Sequence, residues 1–376
     1  MKKTVLLFAI GVFSTIAYAQ QSEDLIVYEN TSQRVLDTGS DQKVTIGGYA
    51  QIDYNQPEGG NGKMDVHRMV MLLGYQFNEK AQFVTEIEYE HVKEVYVEQA
   101  FLNYNVLDNM SVRGGLMLVP MGIVNEYHEP TTFNGVERPN VDKSIIPTTW
   151  REIGIGLNGR IDEASLKYQA YIFNGFVSKN DSKLLGGKNG LRNGRQKGAE
   201  STFNKPNFSA KVDYYGIQGL KLGLAAYAGH SEAEYAGSNV GIKMLGLDAR
   251  YAYQRFSARG QFIQTYIEGA AAYNTANSSD LGSQMKGWYV EGAYNLLPLD
   301  HEQALTAFLR YENYDTHAAV EGLTENLGYD RNDITVGLSY LVAPGAVVKA
   351  DYQWFDNAKP ENVVSKQFNF GIGVWF

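Results

Sequence analysis

Glu126, His128 and Glu129 are the nearest this 376-residue sequence comes to a hydrolytic cluster, a histidine between two carboxylates within four positions. Hydrolysis needs a nucleophile, a base and an orienting group converging on one spot. No Ser or Asp motif accompanies these three, and a histidine in a solvated loop is the simpler reading. His67, His91, His230, His301 and His317 are scattered, and no histidine has a partner at the i, i+4 spacing of a metal-binding helix. There is no cysteine, so thiolate metal sites and disulfides are out. Gly154-Ile155-Gly156-Leu157-Asn158-Gly159 matches G-x-G-x-x-G. That fingerprint must open a helix after a strand, and here it lies within a strand. Lys63 and Lys188 are followed by Met64 and Asn189, not by the Ser or Thr of a phosphate-cradling loop. Asp330 and Asp333 fit no EF-hand spacing. The sequence therefore predicts no catalytic residues, no cofactor and no metal: not an enzyme. A formal net charge of −9 without a basic stripe also argues against nucleic acid as a partner.

What remains is ionic chemistry on surfaces, and the elements that would carry it. Lys2 and Lys3, an apolar run from Val5 to Ile16, and Ala17-Tyr18-Ala19 form the three parts of a secretory leader. Residues 1–19 are expected to be removed after Ala19. Elsewhere no apolar run is long enough for a spanning helix. From Val44 onward the pattern is alternation with period 2. Phe368, Phe370 and Ile372 oppose Gln367, Asn369 and Gly371. Leu245, Leu247, Ala249 and Tyr251 oppose Gly246, Asp248 and Arg250. About 16 such strands fit between Val44 and Phe376, and their connections alternate between tight turns and longer polar segments. One link, His91 to Glu94, is short where a long one is due. Sorting of loops by parity is the mark of an outer-membrane barrel.

Aromatics agree. The chain has 26 Tyr against 4 Trp, and on the apolar face they cluster near both strand ends, as headgroup girdles do. The expected fold is all-β, a transmembrane antiparallel barrel of about 16 strands spanning 44–376, with residues 20–43 as a periplasmic N-terminal segment too short for a plug domain. The other face is polar and carries both signs of charge, including Arg68, Arg113, Arg250 and Arg310. Charges in such numbers call for a hydrated lumen, and about 16 strands leave room for one. Interleaved carboxylates predict a mixed wall without strong ion selectivity. The long segment Met121–Trp150, carrying Glu126, Glu137, Arg138 and Lys143 with Arg151 just beyond, is expected to be functional. We read it as a loop folded inward to constrict the pore, the alternative being an external flap.

The stretch Arg113-Gly114-Gly115-Leu116, Pro120-Met121-Gly122, Thr131-Thr132-Phe133, Glu137-Arg138 and Arg151 through Gly159 resembles the phosphate-selective porin O and P family. The terminal Phe376 is similar to the assembly signal of such barrels. The resemblance implies a 16-stranded outer-membrane channel, an inward-folded third loop, a homotrimer, and pore-lining roles for Arg113, Glu137, Arg138 and Arg151. The expected function is a porin passing ions and small hydrophilic solutes by passive diffusion, with outer-membrane lipid around it. The alternative is a barrel that serves as assembly partner, adhesin or receptor through its external loops, above all Gly175–Asn207.

Overall fold

The computed structural model of the chain describes residues 30–37 and 43–376. The expected leader, its cleavage after Ala19 and most of the 20–43 segment lie outside the described residues.

In chain order the strands are β1 (Val44–Pro57), β2 (Lys63–Gln76), β3 (Ala81–Glu90), β4 (Glu94–Leu107), β5 (Met110–Leu118), β6 (Arg151–Ile161), β7 (Leu166–Phe173), β8 (Val177–Lys179) and β9 (Asn207–Ile217). They continue with β10 (Leu220–His230), β11 (Glu232–Ala233), β12 (Gly241–Tyr253), β13 (Phe256–Glu268), β14 (Gln284–Asn295), β15 (Ala304–Ala319), β16 (Asp330–Ala343), β17 (Ala346–Asn357) and β18 (Ser365–Trp375). Sixteen of them close into one antiparallel barrel, while β8 and β11 pair separately. Closure is made by β1 against β18, in the register Tyr49↔Trp375 to Pro57↔Gln367. Phe376 extends it by exchanging backbone hydrogen bonds with Gly48 at 2.9 and 3.0 Å. A closed ring leaves no strand edge, which is the condition for strands to cross a bilayer.

Alternation sorts the side chains as the sequence predicts. Leu245 and Leu247, Val336 and Leu338, and Phe368 and Phe370 all face outward and exposed. Their neighbours Asp248, Arg250, Thr335 and Asn369 are buried inside. An apolar exterior of this extent suits lipid, not water. Tight turns occupy one end: Asn78 accepts from the Lys80 and Ala81 amides at 2.9 and 3.0 Å, and Gly219 and Gly345 supply left-handed φ of 74° and 80°. The long connections, 119–150 and 174–206 above all, are at the other end.

The interior departs from the expectation of a purely polar lumen. Its largest apolar cluster gathers Met121, Ile123, Val124, Val141, Ile145, Ile146 and Trp150 from the 119–150 segment against Phe173, Phe176, Tyr227, Ile263 and Met285. Trp150 stacks on Phe176 with centroids 4.6 Å apart. Helix α1 (Thr31–Asp37) is also packed in this interior. Val35 joins the same cluster with inward Leu72, Val84 and Phe101, and the Thr31 amide donates to Glu129 at 2.6 Å. Helix α2 (Val141–Ser144) is a single turn within the long segment.

Candidate functional site

Segment 119–150 is tied to the barrel wall by inward-facing charges from strands around much of the circumference. Lys211 on β9 bonds Glu126 at 2.6 Å and the Gly122 carbonyl at 2.8 Å. Lys349 on β17 reaches three carbonyls: Pro130 at 2.5 Å, Phe133, and Gly135 at 2.9 Å. Asp351 accepts from the Val136 amide at 2.6 Å, and Glu312 from the Val141 amide at 3.1 Å. Arg310 lies between Glu312 at 2.9 Å and Glu291 at 3.3 Å, and Glu291 also accepts from Asn134 at 2.8 Å. Burying so many charges is tolerable because each meets an opposite charge or several fixed dipoles. The wall needs less water than the composition suggests, because the loop supplies the partners.

Two cavities flank the segment. The larger, about 860 Å³, lies toward the long connections and is lined by the 137–149 half, by the outer parts of β1, β2, β3 and β4, and by residues 188–197. The smaller, about 450 Å³, lies toward the tight turns and is lined by Ile123, Tyr127, Thr131, Thr132 and Asn134 with Arg250 and Arg259. Of the residues singled out from sequence, Arg68, Glu137, Arg138, Lys143 and Arg151 converge on the larger cavity. Arg250 lies on the smaller one, its guanidinium 4.3 Å from the centre of the Tyr127 ring. Arg113 borders a third space of about 230 Å³ near the tight turns and covers the Phe101 ring at 4.5 Å. Glu126 and Arg310 are buried braces of the segment.

The larger cavity also collects Lys188, Arg192, Arg195, Lys197 and Arg331, which sequence reasoning did not place. The signal was present in the basic composition of 179–197, which reads equally well as a docking loop. Arg195 donates to the carbonyls of Pro147 and Thr149 at 3.1 Å, and Arg192 to that of Thr148. Carbonyls orient these guanidinium groups without cancelling their charge. Nine Lys and Arg thus face five carboxylates around this cavity. Partial burial, with Arg195 and Arg151 nearby, pushes the Lys197 ammonium down to about 8.

The sequence matches the phosphate-selective porin O and P family over residues 44–367. A protein of Aquifex aeolicus, described as uncharacterized, is 35% identical over 333 residues, covering 82% of this chain and 75% of the other. The outer-membrane channel DcaP of Acinetobacter baumannii superposes with a TM-score of 0.60 at 11% identity, covering 89% of this chain and 97% of that one. OmpT of Vibrio cholerae gives 0.59 at 10% identity, over 90% and 99%. OmpF of Salmonella typhi gives 0.53 at 14% identity, over 89% and 97%. At these identities the likeness is one of fold.

Proposed function

The chain belongs to the phosphate-selective porin O and P family, and from that premise we propose that segment 119–150 is the constriction of the channel and that its outer, basic face favours anions. The protein is an outer-membrane channel for passive diffusion of ions and small solutes. Family and fold alike indicate a channel and not an enzyme.

The observation that carries the proposal is the position of the segment between two cavities of opposite ends, with its 137–149 half on the side where nine cations meet five carboxylates. An anion entering there exchanges part of its hydration for guanidinium groups already oriented by carbonyls, and pays little for their ordering. Loop 174–206, whose composition also suits an external partner, directs Arg192 and Arg195 to the constriction segment instead. With the family premise we further propose a homotrimer, export by the N-terminal leader, and cleavage after Ala19. Reversal potentials across a planar bilayer in a salt gradient test the charge assignment. The wild type is expected to prefer anions, and Arg138→Glu to move the potential toward cations by several millivolts or more. Equal potentials for the two would remove Arg138 from the path.

A further inference from the structure

We infer that Glu86, Glu98 and His128 form a binding site for a divalent transition-metal ion, which fastens the 119–150 segment to the wall. One donor atom from each of the three lies within 4.8 Å of the other two. Glu86 comes from β3. Glu98 comes from β4 at the bulge where pairing slips between Glu86↔Gln99 and Ile87↔Val97. That slip turns both Glu98 and Gln99 inward, while Val97 faces out at 46% exposure. His128 comes from the long segment. All three are buried, at 1%, 0% and 1% exposure.

A buried carboxylate oxygen without a partner is costly, and this site holds two. Glu86 Oε2 and Glu98 Oε1 have no hydrogen-bond donor. The histidine is oriented as a ligand is oriented. Its Nδ1 lies 3.2 Å from the Asn125 carbonyl, which can only accept. Nδ1 therefore carries a proton, which leaves Nε2, 3.4 Å from Glu98 Oε2, as the ring nitrogen able to take a metal. A backbone carbonyl that fixes the tautomer in this way is the usual outer shell of a metal-bound imidazole. The Tyr49 hydroxyl donates to Glu98 Oε2 at 3.0 Å and lies 3.0 Å from Nε2.

A doubly protonated His128 would pair with Glu98 through Oε2, yet it would leave Glu86 Oε2 and Glu98 Oε1 as they are. Arg151 approaches Glu98 Oε1 only to 3.9 Å, and Arg68 directs its donors to Tyr49, Gln51 and the His128 carbonyl. Glu129, next to His128, leaves Oε2 without a donor as well, so the local charge is suited to a cation. One imidazole and two carboxylates favour zinc or manganese over calcium and magnesium, which prefer an all-oxygen shell. Glu88 and Arg68, which border the outer cavity, mark the side from which an ion would enter. The site stands whether or not the long segment is the constriction of the channel, since its readout is binding.

The test uses the folded full-length mature protein in detergent, stripped with EDTA and titrated calorimetrically with ZnCl2 and with MnCl2. One equivalent of at least one metal per chain is expected, with Kd at least tenfold tighter than in Glu86→Gln or His128→Gln. Cobalt(II) should give visible ligand-field bands in the wild type and not in either variant. Heat-modifiable migration on gels checks that the variants fold. Less than one equivalent in the wild type overturns the inference, and so does equal binding by a folded variant. Either result would leave Glu86 as a protonated acid that simply fills the gap.

Discussion

The two halves of the 119–150 segment are held by different means. The half from Met121 to Val136 is gripped by charges of the wall: Lys211 on Glu126, Lys349 on three carbonyls, and Asp351 on the Val136 amide. The half from Glu137 to Trp150 touches the wall through fewer charges and leans on its neighbour loop, through Arg192 and Arg195. Charge buried against the wall is spent on position. Charge left facing the cavity is free to act on solutes. Substitutions in the first group should therefore lower stability, and substitutions in the second should alter selectivity at nearly constant stability.

The largest effect is expected at Arg310. Replacing it by Met leaves Glu291 and Glu312 buried without their shared cation, and breaking one side of such a pair costs about 3–5 kcal/mol. Denaturant unfolding in detergent, followed by band shift on gels, should show that loss. An Arg310→Met variant as stable as the wild type would mean that the braces carry no load. Lys349→Met comes next. It strips the carbonyls of Pro130, Phe133 and Gly135 of one donor each, with an expected cost of about 2–3 kcal/mol. Its distinctive sign is in conductance: a loosened 130–135 stretch should raise current noise in single-channel records, which Arg138→Glu should not.

The sequence made the wall legible because lipid outside and polar groups inside impose a strict period of 2 on every strand. Leu245, Asp248, Val336 and Asn369 all point as their parity predicts. Parity gives direction but not cover. Arg310 and Arg138 are equally readable as lumen charges, yet one is sealed between carboxylates and the other borders a cavity. The difference is made by a loop more than 150 positions away from Arg310, and no local period encodes that loop's path. Glu98 was hidden for another reason: a β-bulge reverses the alternation within β4, so that Glu98 and Gln99 both turn inward. Helix α1 was equally unreadable, since a short amphipathic turn carries no sign of whether it enters the barrel.

The smallest predicted effect is the sharpest probe of the outer half. Lys197 lies over the Tyr96 ring at 4.8 Å, half buried beside Arg195 and Arg151, and these surroundings bring its ammonium down to about 8. The sign follows directly. Below that pH Lys197 is charged and adds to the cations of the outer cavity; as pH rises through about 8 it becomes neutral and anion preference should fall. Reversal potentials at pH 6.5 and 9.5 should therefore differ slightly in the wild type, and the difference should shrink in Lys197→Met. Lys197→Arg, which stays charged throughout, should abolish the drop while keeping the preference high. If all three proteins respond to pH alike, the titrating group lies elsewhere and the outer half acts through its fixed guanidinium charges alone. Stability should rise slightly as pH passes about 8, since a half-buried ammonium that the folded chain disfavours weakens the fold while it is charged.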